Sequence, residues 1–73
     1  MTVTLDIPDS VIQGLRVPEG EVPERLRLEL ALALYAQGAL SLGKAAELAG
    51  MSRLPFGELA GERAFLAATA KQI

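Results

Sequence analysis

The sequence predicts a mainly α protein in which a short N-terminal β-strand, paired across a dimer, leads into a helical helix-turn-helix domain. Three observations carry this expectation. The 73 residues include 13 Leu and 12 Ala but only three aromatics, a composition suited to closely packed helices. Gly38 and Gly50 separate stretches of helical periodicity, as helix stops do. Only the N-terminal stretch alternates with a period of two.

In that stretch Val3, Leu5 and Ile7 alternate with Thr2, Thr4 and Asp6, which places a strand over residues 2–7. A lone strand leaves backbone donors and acceptors unpaired along both edges, so a second copy or another protein is expected beside it. Pro8-Asp9-Ser10 then opens one or two helical turns with Val11, Ile12 and Leu15 apolar, capped by Asp9 or Ser10. Arg16 to Val22 contains Pro18 and Gly20 without periodicity and reads as a linker.

Pro23 suits the first position of a helix, and a core helix is expected from there to about Gln37, stopped by Gly38. Its polar residues, Glu24, Arg25, Arg27 and Glu29, lie in the first two turns. The C-terminal half is apolar nearly all round and is expected to be buried. Residues 1–22 thus hold strand, short helix and linker, 23–38 the core helix, 41–63 the helix-turn-helix and 64–73 a C-terminal segment, all within a single domain of 1–73.

The helix-turn-helix reading rests on spacing. Ser41 can cap a helix over Leu42 to Ala49, Gly50-Met51-Ser52 forms the turn, and another helix begins near Arg53. Small Ala46 falls at the helix crossing and Gly50 on the turn, while Met51, Phe56 and Leu59 fall where apolar side chains lock the pair. In the DNA-binding reading Ser52 caps the recognition helix and Ser52, Arg53, Leu54, Gly57 and Glu58 face outward. Arg53 would contact guanine or phosphate, with Lys44 and Arg63 on the backbone. Glu58 opposes a phosphate neighbour. A helical hairpin in a plain bundle uses the same Ala46 and Gly50, so a structural or protein-interaction module without DNA binding stays open. Phe65, Leu66, Ala70 and Ile73 form an apolar set that a terminal helix on the core explains, or a partner-binding segment.

Composition narrows the function classes. Without His or Cys the chain lacks imidazole bases, thiolate nucleophiles, disulfides and the usual soft metal ligands. No pair of carboxylates stands out for acid–base work, so no catalytic residue, cofactor, metal or small-molecule substrate is expected, and the protein is not read as an enzyme. The net charge of −2 argues against a uniformly basic polyanion binder. It divides as −3 over residues 1–40 and +1 over 41–73, so any nucleic-acid face is expected in the second half. The first residues lack a basic and apolar signal pattern and no stretch is long enough to span a membrane, so a cytoplasmic location is expected.

From Leu34-Tyr35 through Leu40-Ser41-Leu42-Gly43-Lys44-Ala45-Ala46-Glu47-Leu48-Ala49-Gly50-Met51-Ser52-Arg53 to Phe56, the chain resembles a family of small prokaryotic proteins catalogued as uncharacterised. Members of that family are regarded as antitoxins and are often encoded beside a PIN-domain toxin. The opening Thr-Val-Thr-Leu-Asp-Ile-Pro-Asp is similar to that family and to ribbon-helix-helix antitoxins. The resemblance implies a small homodimeric helix-turn-helix protein that neutralises a toxin nuclease and represses its own operon through operator DNA. The run from Gly61 to Ile73 departs from the family's usual continuation, in the region where antitoxins commonly embrace their toxins.

Overall fold

A computed structural model describes residues 1–71, with side chains described through Ala64. Four α-helices follow in order: α1 (Asp9–Gly14), α2 (Val22–Ala36), α3 (Leu42–Ala49) and α4 (Arg53–Lys71), with a 3-10 turn at Glu19–Glu21 before α2. No strand forms among the described residues, and residues 1–8 are irregular. This overturns the expected strand at 2–7 and the strand-paired dimer built on it. Alternation makes a segment compatible with a sheet, but a ladder consists of hydrogen bonds to a second strand. Every other element among the described residues is a helix, so those residues hold no strand for 2–7 to pair with, and Val3 and Leu5 are exposed.

α1 begins one residue earlier than the expected caps. The Pro8 carbonyl accepts the N–H groups of Val11 and Ile12 at 3.0 and 3.1 Å, so Asp9 lies in the first turn and no side chain caps the helix. In the linker, Glu21 N–H donates to Pro18 O at 2.9 Å and closes the 3-10 turn. α2 starts at Val22 with Pro23 in its first turn, where a missing N–H costs nothing.

Both interhelical turns use the same device. After α2, Gly38 adopts φ 77°, its N–H donates to Tyr35 O at 3.0 Å and that of Ala39 to Leu34 O at 2.9 Å. After α3, Gly50 adopts φ 70°, its N–H donates to Glu47 O at 3.1 Å and that of Met51 to Ala46 O at 2.9 Å. These are Schellman motifs, in which a left-handed residue lets the chain reverse while satisfying the last helical carbonyls. At both positions glycine avoids the Cβ clash.

The core sits where α2, α3 and α4 meet. Ala31 and Leu32 of α2, Ala45 and Ala46 of α3 and Phe56 of α4 are buried, edged by Leu28, Leu40, Leu42, Leu48, Ala49, Met51, Leu59 and Ala60. Alanine at 31, 45 and 46 lets the helix backbones approach closely, and Phe56 fills the space that remains. Its ring meets Tyr35 edge-on, with centroids 6.1 Å apart and planes at 70°, a favoured aromatic geometry. Arg63 fastens α4 to α2 by donating from Nη1 to both carboxylate oxygens of Glu29 at 2.8 Å. Glu29 also lies 3.9 Å from Arg25 Nε.

The C-terminal half of α2 is not buried all round, contrary to expectation. Leu30, Ala33, Tyr35 and Ala36 are exposed because α3 and α4 both pack on the side that carries Ala31 and Leu32. α4 runs through the expected boundary at residue 63 without a break at Gly57 or Gly61. Phe65, Leu66 and Ala70 therefore lie on its last turns, beyond the described side chains, and Ile73 lies outside the described residues. Among those residues no helix is long and apolar enough to cross a membrane.

Candidate nucleic-acid interface

The surface around the turn between α3 and α4 is built from two helix starts. Ser41 Oγ accepts the Lys44 N–H at 3.3 Å, capping α3 and presenting Ser41, Leu42, Gly43 and Lys44 together. α4 begins two residues after Met51, and the Ser52 carbonyl accepts the Phe56 N–H at 3.2 Å. The expected hydroxyl cap at Ser52 has no N–H to receive at the third helical position, because Pro55 stands there. Phe56 in the core fixes the rotation of α4, leaving Ser52, Arg53, Leu54 and Glu58 exposed.

Arg53 does not project straight out. Its guanidinium lies across the first turn of α3, where a Cβ built on Gly43 would meet Nη2 at 3.0 Å, Nε at 3.1 Å and Cζ at 3.3 Å. A side chain at position 43 would oblige the guanidinium to shift by a few tenths of an ångström. Ser41, Leu42, Gly43, Lys44, Glu47 and Arg53 line one open concavity. Leu54, 74% exposed, lies beside it with Leu42, Gly57 and Glu58. Gly57 is half-buried, and a Cβ built on it would stand 3.9 Å from the Leu42 methyls. It belongs to the packing of α3 on α4 more than to an outward face.

Charge at this surface is nearly balanced. Lys44 Nζ is 3.4 Å from Glu47 Oε2 with both side chains about 70% exposed, a pairing that water and salt weaken readily. Arg53 forms no ion pair with the described residues, which makes it the unpaired cation of this surface. Arg63, expected to contact DNA, is instead engaged by Glu29 on the seam between α2 and α4. It stands ten residues along the helix from Arg53, about 15 Å away along the axis.

The structure thus brings together Lys44, Ser52, Arg53 and Leu54, draws Gly57 partly into the packing and sets Arg63 apart. The residue that sequence reasoning missed is Gly43. A glycine inside a helix costs about 0.5–1 kcal/mol relative to alanine, but that cost does not single out position 43, since Gly61 in α4 carries it too with nothing near its missing side chain. Among the described residues, no group of three Asp or Glu side chains is placed to hold a metal ion.

Comparison with known proteins adds a lineage. A model of the Uncharacterised protein family (UPF0175) matches residues 1–70. A UPF0175 protein of Aeropyrum pernix is 49% identical over 57 residues, covering 78% of this chain and 60% of the relative. The chain therefore spans about three fifths of the length of the curated relative it matches. No solved structure matches.

Proposed function

We propose, for a chain that belongs to the uncharacterised family UPF0175, an antitoxin-type role without catalysis of its own. The α3–turn–α4 unit holds operator DNA, and a separate surface covers a toxin nuclease of the PIN-domain class. The observation that carries the DNA half of this reading is Arg53, a cation without an ion-pair partner among the described residues, laid over Gly43 beside the Ser41-capped start of α3. A guanidinium next to the first amides of a helix suits a phosphate oxygen, because the helix start contributes partial positive charge. The toxin half rests on the resemblance of residues 34–56 to antitoxins.

The test is fluorescence anisotropy on a duplex spanning the DNA immediately upstream of the protein's own coding sequence, titrated at several salt concentrations. Arg53→Ala is expected to lose roughly 1–3 kcal/mol of affinity if the contact is to a base, or to flatten the salt dependence by about one counterion if it is to a phosphate. Gly43→Ala keeps the charge and shifts the guanidinium by only a few tenths of an ångström, so it is expected to change binding far less than Arg53→Ala while leaving the helices intact. Absence of salt-dependent binding by the unaltered chain would overturn the DNA half.

A specific observation favours a second reading, a protein-interaction module that never touches DNA. Leu54 is 74% exposed beside Glu58, and the two carboxylates at Glu47 and Glu58 offset Lys44 and Arg53. An exposed Leu is a poor neighbour for phosphate and a good one for an apolar partner. On this reading Leu54→Ala abolishes partner capture and Arg53→Ala does not.

A further inference from the structure

The turn between α3 and α4 carries a sulfur atom that neither reading of the site uses. Met51 follows Gly50, and its N–H donates to Ala46 O at 2.9 Å, so its backbone is fixed at the reversal. The chain has two Met and no Cys, His or Trp, which leaves the thioethers as its readiest targets for a two-electron oxidant. Met1 is wholly exposed and lies outside the core. Met51 is half-buried, and its two sides meet different surroundings.

One side belongs to the core. Met51 packs on the cluster of Ala31, Leu32, Ala45, Ala46 and Phe56, where an unbranched apolar side chain suits the seam between three helices. The other side faces water. Met51 lines an open concavity of about 530 Å³, sharing its apolar floor with Leu28 of α2 and Ala49 of α3 beneath the charged side chains of Glu21, Glu24 and Arg25. A water molecule takes up about 30 Å³ of liquid, so a small peroxide has ample room to enter. Phe56 is deeper but has no sulfur to oxidise, and Met1 is more accessible but supports nothing. Met51 alone combines access with a structural duty.

We propose that Met51 is an oxidation site at which a peroxide uncouples the α3–turn–α4 unit from α2. The thioether sulfur attacks one oxygen of hydrogen peroxide, the O–O bond breaks, an S–O bond forms, and the second oxygen leaves with both protons as water. Sulfur is oxidised and the peroxide reduced, and the product is methionine sulfoxide. Its oxygen is a hydrogen-bond acceptor on a side chain that had packed as an apolar one, and an acceptor held on an apolar floor costs free energy unless it finds a donor. Among the described residues, Arg25 is the one side chain lining the concavity with an N–H to give, and it lies 3.9 Å from Glu29 Oε1. The sulfoxide is satisfied by turning outward, to water or to Arg25, and that movement withdraws Met51 from the seam. Enzymatic reduction of the sulfoxide reverses it.

Graded treatment of the full chain with hydrogen peroxide, followed by peptide mass spectrometry and thermal melting under circular dichroism, tests this. Met51 is expected to gain one oxygen while the chain is folded, and the melting midpoint to fall by at least about 4 °C in step with that gain. Methionine sulfoxide reductases are expected to restore it. Met51→Leu is expected to melt close to the unoxidised chain and to be indifferent to peroxide even as Met1 is oxidised. Met51→Gln, with a permanent polar group of similar length, is expected to melt low without oxidant. Oxidation of Met51 only in the unfolded chain overturns the proposal, as does a fully oxidised Met51 with the midpoint unmoved, or a Met51→Leu chain that peroxide destabilises equally. None of these readouts involves DNA, so the oxidation site and the proposed function stand or fall separately.

Discussion

Residues 1–21 and the α2–α4 unit are similarly rich in aliphatic side chains, yet only one of them has a core. The first region holds Val3, Leu5, Ile7, Val11, Ile12, Leu15 and Val17 and buries none of them fully. The second buries three alanines, a leucine and a phenylalanine at the junction of three helices. Apolar content alone therefore does not produce a core. Burial requires a complementary surface within reach, and here small residues on α2 and α3 and a glycine after each bring those surfaces together.

Three substitutions bear on this contrast. The largest effect is expected from Phe56→Ala, since Phe56 is the largest fully buried side chain among the described residues. Emptying such a site costs about 3–5 kcal/mol, comparable with the entire stability of a domain this size, and thermal denaturation followed by circular dichroism should show the helical signal largely lost at 25 °C. Gly50→Ala comes next, because alanine at φ 70° carries a left-handed penalty of about 1–2 kcal/mol; urea denaturation should report a lower midpoint with an unchanged slope. The smallest effect belongs to Val11→Ser, 51% exposed and outside the core. At concentrations where the chain is monomeric it should change unfolding free energy by no more than about 0.5 kcal/mol. A large destabilisation there would erase the distinction between the two regions.

Local features were the most legible in sequence. The core helix expected from Pro23 to about Gln37 runs Val22–Ala36, since Pro23 and Gly38 act through backbone geometry that needs no tertiary context. The turn at Gly50 and the burial of Ala46 and Phe56 follow from spacing for the same reason. Features that depend on distant partners were not legible. Residues 2–7 alternate, but a strand exists only with a second strand. Arg63 read as a free cation because its partner, Glu29, lies 34 residues away in sequence. The exposure of Leu30 and Ala36 reflects where α3 and α4 settle on α2, which the periodicity of α2 does not specify. At the candidate site Lys44, Ser52, Arg53 and Leu54 were legible as neighbours, whereas the fit of Arg53 over Gly43 required the crossing of α3 and α4.

The matched turns at Gly38 and Gly50 also have a consequence for how this chain can vary in length. They clamp α3 between two fixed reversals, so its eight residues act as a measured spacer. Adding or deleting one residue there rotates everything downstream by about 100° and shifts it by about 1.5 Å, turning Ala45 or Ala46 off α2 and Phe56 out of its socket. Descendants of this sequence can therefore exchange side chains between the two glycines far more freely than they can change the count between them. Changes in length are expected instead before α2, where residues 1–8 are irregular and no such phase has to be kept.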